Sequence, residues 1–332
     1  MTWNVRVAGV GRYLPKRVVS SSEVAKLANL PAGWIEEKQG ILERRWADQE
    51  AGETATWMGA EAAKEALAEA GLAASDLDLI VNASGTPEQG IPDGGALIQR
   101  HLGLGLSGIP CFTMHATCLS FLVALDLAAT YVRDGRFRRV LVVSSEVASV
   151  GLNFAEPESS TLFGDAAAAA VVVATPQGEA SRIEAMRFST FGDGAHFTEI
   201  RGCGTRRHPN ASSANPLDAT FHMSGPEVLK MAIRTAPGFF EALRPGLAKG
   251  LGDIDLVVPH QASLVGLKAF RRFRWPEERI VTTLDRLGNC VAASIPATLY
   301  EAVRSGRLER GKRFLLVGTG AGFSLGAAIA VY

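Results

Sequence analysis

Short apolar runs alternate with helix-forming runs along the whole chain, and this rhythm predicts an α/β fold built from two similar halves. Three observations carry the prediction. The runs LDLIVNA at 77–83 and RVLVVS at 139–144 show little polar–apolar alternation, as parallel strands covered on both faces do. Helical patterns stand between such runs, which is the order of an α/β sheet. The rhythm then repeats: each half closes on a Gly/Ala-rich run, FGDAAAAAVVVA at 163–174 and VGTGAGFSLGAAIAVY at 317–332. The halves are expected to divide near residue 175, into 1–175 and 176–332, packed face to face.

The elements follow in order. MTWNVRVAGVGRYLP reads as a strand and a turn, without the charged start and apolar core of a signal segment. Ala55 to Ala70 is rich in helix formers and is followed by Gly71, a good stop. Leu77 to Ala83 reads as a strand, Gly95 to Leu102 as a helix and Gly108 to Met114 as a strand. Thr117 to Arg133 is apolar nearly all round, which marks a buried helix. After the strand at 139–144, the stretch from Gly192 to Asp218 is rich in Gly, Asn, Ser, Pro and charge. It is expected to be a long surface loop or a lid. Helices are expected at 227–243, 264–273 and 295–304, and strands at 254–259 and 314–317.

Bulk properties narrow the function classes. The chain has 332 residues, 47% of them hydrophobic, enough for a large buried core. Lys plus Arg and Asp plus Glu both number 34, so nothing demands a nucleic-acid partner. Without a charge-free apolar run of about 18 residues, no membrane span is expected, and the expected location is cytoplasmic. The four cysteines, at 111, 118, 203 and 290, form no CxxC pair and no zinc-type spacing. Neither a metal nor a disulfide framework is expected.

One of these cysteines sits where a nucleophile belongs. Cys118 follows a strand and opens the apolar helix, where backbone N–H groups and the helix dipole favour a thiolate. His260 ends the strand IDLVVP, the end at which α/β folds build sites. Asn289 stands before another helix, in RLGNCVAASIP. Each has a plainer reading alone: an inert buried thiol, a satisfied imidazole, a turn or N-cap Asn. The conjunction of Cys, His and Asn at junctions between strands and helices is what singles them out.

The motifs around them resemble the ketoacyl-ACP synthase III family of the thiolase superfamily. DLVVPHQAS at 255–263, LGNCVAASIPATLYEA at 287–302 and GTGAGFSLGAA at 318–328 resemble its C-terminal signature. TCLSFLVALDLA at 117–128, LFGDAAAAAVV at 162–172, HMSGPEVLKMA at 222–232 and WIEEKQGILERR at 34–45 match in the same order. The resemblance implies a five-layered αβαβα thiolase fold, with Cys118 in the N-terminal half and His260 and Asn289 in the C-terminal half. It implies a homodimeric acyltransferase of fatty acid or polyketide-type secondary metabolite biosynthesis. Cys118 would take an acyl group from a thioester, and His260 and Asn289 would hold a malonyl- or β-ketoacyl-type thioester during decarboxylative Claisen condensation. The oxyanion hole would use the N–H groups of Cys118 and of a residue near Gly322. No cofactor is implied; acyl-CoA or acyl carrier protein thioesters are the substrates.

Departures from the family pattern bear on the donor. Ser263 replaces the usual Asn of HQAN, Lys38 stands where an Arg usually follows the Trp34 pair, and PESSTLFGD lacks the Arg that helps hold the CoA adenine. CoA is therefore expected to be a poor donor, with a carrier protein or a different thioester preferred. Ile91, before the proline of GIPDGG, takes the place of a residue that caps the partner's acyl pocket, often Phe. A smaller residue there implies a longer chain. It is also not the Glu that head-to-head condensing relatives place near this proline. Lys268, Arg271 and Arg272 in LKAFRRFRW, with Lys230, form a basic stripe suited to an acidic carrier protein, or a plain solvated face. A non-condensing acyltransferase with the same Cys-His-Asn site is the alternative; the retained Asn289 favours condensation.

Overall fold

The structure is a computed structural model describing residues 2–332. Strand β1 (Val5–Tyr13) lies antiparallel to the alanine-rich β7 (Ala166–Ala174), which is antiparallel to β6 (Arg139–Glu146). Next comes β4 (Leu79–Asn82), parallel to both β6 and the edge strand β5 (Cys111–Thr113). The order β1-β7-β6-β4-β5 is matched by a second sheet. There β8 (Arg182–Thr190) is antiparallel to β13 (Ser324–Val331), β13 antiparallel to β12 (Arg313–Gly320), and β12 parallel to β11 (Leu256–Pro259). The same senses recur in the same order, so the repeated rhythm of the sequence is a repeated sheet. The position corresponding to β5 holds only an isolated bridge, Val257 to Ile280.

Helices complete the layers. The outer face of the first sheet carries α3 (Ala55–Ala70) and α4 (Gly94–His101). Between the sheets lie α5 (Ser120–Arg133) and α10 (Ser294–Arg304). The outer face of the second sheet carries α7 (Gly225–Leu243) and the segment from Phe270 to Trp275. This is the five-layered αβαβα thiolase architecture. Its position between two sheets explains why α5 is apolar nearly all round: Phe121, Leu122, Leu125 and Ala129 are all buried. Smaller elements crown the assembly. Ribbon β2 (Arg17–Ser20) with β3 (Glu43–Trp46), and helices α1 (Ser21–Leu27), α2 (Trp34–Gln39), α6 (Pro157–Ser160), α8 (Leu264–Ala269) and α9 (Leu284–Leu287), gather about a cluster that includes Ile35, Phe163 and Leu284.

Several local expectations need correction. The helix expected from Thr117 opens as a 3-10 turn, Thr117–Leu119, and becomes α-helical only at Ser120. The strand expected over 108–114 shrinks to Cys111–Thr113, because Gly108 is left-handed (φ 72°) and Pro110 brings no donor. The helix expected over 264–273 is α8 followed by a 3-10 turn, Phe270–Phe273, closed by a left-handed Arg274. Within the loop expected from Gly192 to Asp218, β9 (Thr198–Ile200) pairs with β10 (Phe221–Met223), so the ends of the segment are tied together. No helix of the described residues is long and apolar enough to cross a membrane.

The first sheet accepts α3 closely because β1 carries no side chain where the helix crosses. A Cβ at Gly11 would lie 2.1 Å from the Ala62 carbonyl oxygen and 2.4 Å from the Ala66 nitrogen, both backbone atoms. Gly11→Ala therefore forces the helix off the sheet. We expect a loss of about 2–3 kcal/mol in urea unfolding, the upper range for overpacking; an unchanged midpoint would show that the layers slide freely.

Candidate active site

The turn bearing Cys118 is strained and braced. Thr117, ahead of it, has φ 51°, a left-handed conformation uncommon for a β-branched residue. Ser120 holds the turn: the Ala116 N–H donates to its Oγ at 2.9 Å, and its hydroxyl donates to the Thr117 carbonyl at 2.7 Å. The turn then seats on the second sheet where β12 and β13 present glycines. A Cβ at Gly320 would lie 2.8 Å from Thr117 Oγ1, and one at Gly318 would lie 3.0 Å from His260 Cβ and 3.2 Å from Leu119 Cδ2. Bare backbone at these positions brings the first-half cysteine down onto the second half.

There the backbone N–H groups of Ala321 and of Cys118 itself act on the sulfur in favour of the thiolate. The donor opposite the cysteine is thus Ala321, one residue before the Gly322 expected from sequence. The expectation of a low thiol pKa is also corrected. Burial pushes the Cys118 thiol up to about 12, and the Glu146 carboxylate adds to this; the two N–H donors only partly offset it. At neutral pH the resting group is a thiol.

His260 stands at the end of β11, its N–H donating to the Val317 carbonyl at 2.8 Å. It is buried, and burial pushes its imidazole down to about 4, so the ring is neutral at pH 7. Its Nδ1 is buried without a hydrogen-bond partner. The next residue, Gln261, anchors the strand end. Its side chain donates to the Pro259 and Val281 carbonyls and accepts from the Thr283 and Leu284 N–H groups. Ser263, which departs from the family pattern, caps α8 by accepting from the Gly266 N–H at 3.1 Å. Ser and Asn are both strong N-caps, so the cap survives the exchange.

Asn289 is buried with its amide oriented. Oδ1 accepts from the Val291 N–H at 2.9 Å, and Nδ2 donates to the Ala262 carbonyl at 3.3 Å. The oxygen is occupied, so the NH2 group is the end that faces other acceptors. The Asn289 backbone pairs with the first half: its N–H donates to the Leu162 carbonyl at 2.8 Å, and its carbonyl accepts from the Gly164 N–H at 3.1 Å.

A cavity of about 1930 Å³ collects Cys118, His260, Asn289, Ala321 and Gly322 on one wall system. Of the expected binding residues, Trp34, Lys38 and Arg272 also line it. Lys230, Lys268, Arg271 and Ile91 do not; Ile91 is 90% exposed in the single chain. Arg271 pairs with Glu277, and Lys38 with Glu37 at 2.8 Å. Among the described residues no group of three His, Cys, Asp or Glu side chains could hold a metal.

Glu146 escaped sequence reasoning. It ends β6, buried, and accepts from the Gly85 and Thr86 N–H groups at 2.6 and 2.8 Å and from the Thr86 hydroxyl at 2.7 Å. Burial still raises its carboxyl to about 8. It ties the 85–86 loop to the end of β6. The available signal was a polar SSE ending on an otherwise apolar parallel strand.

Comparison with known proteins follows this geometry. Residues 112–194 match the family described as 3-oxoacyl-[acyl-carrier-protein (ACP)] synthase III, and residues 248–332 match its C-terminal domain. The chain is 33% identical over 331 residues to beta-ketoacyl-[acyl-carrier-protein] synthase III of Aquifex aeolicus, covering 98% of this chain and 99% of the relative. It is 35% identical over 333 residues to that of Methylococcus capsulatus, covering 98% of each. Among solved structures, the 3-oxoacyl-(acyl carrier protein) synthase III of Pseudomonas aeruginosa superposes with a TM-score of 0.88 at 27% identity, over 99% of this chain and 98% of the other. The Aquifex aeolicus structure gives 0.86 at 31%, over 99% and 100%.

A thiol raised to about 12 has a testable signature. Below that value the thiolate fraction grows about tenfold per pH unit. The rate of iodoacetamide alkylation at Cys118, followed by mass on its peptide, should climb steadily from pH 6 to 9. A plateau near pH 7 would mean a stabilised thiolate and overturn the burial argument.

Proposed function

The chain belongs to the 3-oxoacyl-[acyl-carrier-protein] synthase III family, and from that premise we propose how its residues divide a condensing acyltransferase reaction. It is an acyltransferase of the ketosynthase type that performs Claisen condensation in fatty acid biosynthesis. In the first step Cys118 Sγ attacks the carbonyl of an acyl thioester. The carrier thiol leaves with the cysteine proton, and the acyl group stays on sulfur. The Ala321 and Cys118 N–H groups, whose effect on the sulfur favours negative charge, would receive the tetrahedral oxyanion.

In the second step a malonyl-type thioester loses CO2, and the freed electron pair becomes an enolate. The neutral His260 ring and the Asn289 amide are the donors for that oxygen. The enolate carbon then attacks the acyl-Cys carbonyl and expels the Cys118 thiolate, which takes back a proton. The observation that carries this division is the Asn289 amide: the Val291 N–H holds its oxygen, leaving the NH2 as donor on the cavity shared with Cys118. A non-condensing acyltransferase has no need of that donor.

The donor and the assembly are part of the same reading. The substrates are thioesters of acyl carrier protein or CoA, entering beside Trp34, Lys38 and Arg272. The exposed Lys230, Lys268 and Arg271 meet an acidic carrier. Two copies pair through the open edge of β5, next to the exposed Ile91 and Leu106, as a cytoplasmic homodimer of two thiolase-like halves, 1–175 and 176–332.

His260→Ala and Asn289→Ala should each self-acylate at the wild-type rate yet lose malonyl-thioester decarboxylation. Losing one such donor costs about 2.7–4 kcal/mol, or about a hundredfold to a thousandfold in rate. Labelled CO2 release measures it, and wild-type release from either variant refutes the assignment.

The carrier surface is tested away from the cavity wall. Lys230→Glu with Lys268→Glu should raise KM for a carrier-bound thioester several-fold and spare a CoA thioester, with the difference fading in high salt. Equal effects on both donors would return these lysines to an ordinary solvated face.

A further inference from the structure

We propose that Val291, seated in the hollow left by Gly85, is a positioning residue of the condensing step: it holds the Asn289 amide with its NH2 toward the cavity. The fit between residues 85 and 291 then sets how well that donor meets the enolate. This rests on the reading of Asn289 given above and adds the two residues that hold it.

Val291 has φ 46°, a left-handed conformation that a β-branched residue rarely adopts. Such strain persists only where the surroundings over-determine it, and here they do. The Asn289 N–H and carbonyl are paired with Leu162 and Gly164. The Cys290 N–H donates to Ser294 Oγ at 3.0 Å, and the Ala293 N–H donates to the Cys290 carbonyl at 2.9 Å. With both ends held, the peptide between Cys290 and Val291 is fixed, and its N–H points back to Asn289 Oδ1, 2.9 Å away.

The Val291 side chain is held from the first half. A Cβ at Gly85 would lie 2.8 Å from Val291 Cγ1, too close for two carbons, so the valine methyl fills the space a larger residue at 85 would take. Gly85 has no room to retreat. Its N–H donates to the buried Glu146 carboxyl at 2.6 Å, and Thr86 is tied to the same carboxyl by its N–H at 2.8 Å and its hydroxyl at 2.7 Å. Rotation of Val291 gives little relief, because a β-branched side chain is stiff at χ1 and this one packs against the cluster that includes Phe163 and Leu284. The contact is rigid on both sides. Glu146 fixes Gly85, Gly85 seats Val291, and the Val291 N–H orients the amide. Gly85, Val291 and Asn289 all line the cavity that holds Cys118. The Cys118 turn is braced separately, by Ser120 and the bare backbone of β12, so the two steps of the reaction can be perturbed apart.

The test is a double-variant cycle read on both steps: self-acylation of Cys118 by intact mass, and labelled CO2 release from a malonyl thioester. Gly85→Ala crowds Val291 and should lower CO2 release about tenfold or more, since a misplacement of about 1 Å can cost a hundredfold. Val291→Ala leaves the seat loose and should lower it several-fold. Self-acylation should stay at the wild-type rate in both. The paired Gly85→Ala, Val291→Ala variant restores the fit and should release CO2 faster than either single variant. In an Asn289→Ala background, Gly85→Ala should cost nothing further, because its effect passes through that amide. If Gly85→Ala alone does not fold, the comparison of Val291→Ala with the paired variant carries the same test. Wild-type CO2 release from the single variants, equal loss of both steps, a paired variant slower than a single one, or an added loss in the Asn289→Ala background overturns the inference. A wild type that acylates Cys118 yet releases no CO2 is a different result and removes the condensing function itself.

Discussion

The structure depends on one close approach: the turn carrying Cys118 rests on a part of the second sheet that has no side chains. Leu119, 1% exposed, wedges against the places where Gly318, Gly320 and Gly326 would otherwise bear a Cβ. Any larger residue there lifts the turn and parts the cysteine from His260 and from the Ala321 N–H. The N-terminal half thus supplies the sulfur, and the C-terminal half supplies the surface that positions it. The buried helices α5 and α10 hold the two sheets at the spacing this contact needs.

Burial sets the electrostatics of the site. The thiol is pushed up, the imidazole is pushed down, and both rest uncharged. A fixed set of neutral donors suits chemistry in which negative charge appears on an oxygen and then leaves. Such donors gain strength where charge develops, because water does not compete for it. Glu146 works as a brace: its carboxyl is held by the N–H and O–H donors of Gly85 and Thr86, and burial raises it to about 8, so it too is mostly uncharged at pH 7.

Much of the layout was legible in the sequence, and the limits have physical reasons. The helix at 55–70 could be bounded because its residues are strong helix formers and Gly71 is a left-handed stop. The repeat could be heard because strands buried on both faces leave continuous apolar runs. The cysteine, histidine and asparagine could be picked out because they sit where strands give way to helices. What escaped depends on three-dimensional surroundings. Helix-terminal placement argued for a thiolate, but depth of burial pushes the thiol the other way. The resemblance pointed to an N–H near Gly322, and the one that acts on the Cys118 sulfur is that of the neighbouring Ala321. The contact of Asn82 with Thr113 was equally hidden, since the two meet only through strand pairing.

The backbone exchange between Asn289 and residues 162–164 reaches beyond geometry. It is a one-step parallel bridge from the second half to the first, and it holds the residue whose amide faces the cavity. Neither half owns a finished site, and the core between the sheets is shared by both, so one half alone would lack the reaction. Covalent fusion keeps the complementary strand segments at a high effective concentration, about millimolar or above for short linkers. The duplicated architecture is therefore locked into a single polypeptide: selection on the reaction acts on the join between the copies as strongly as on either copy.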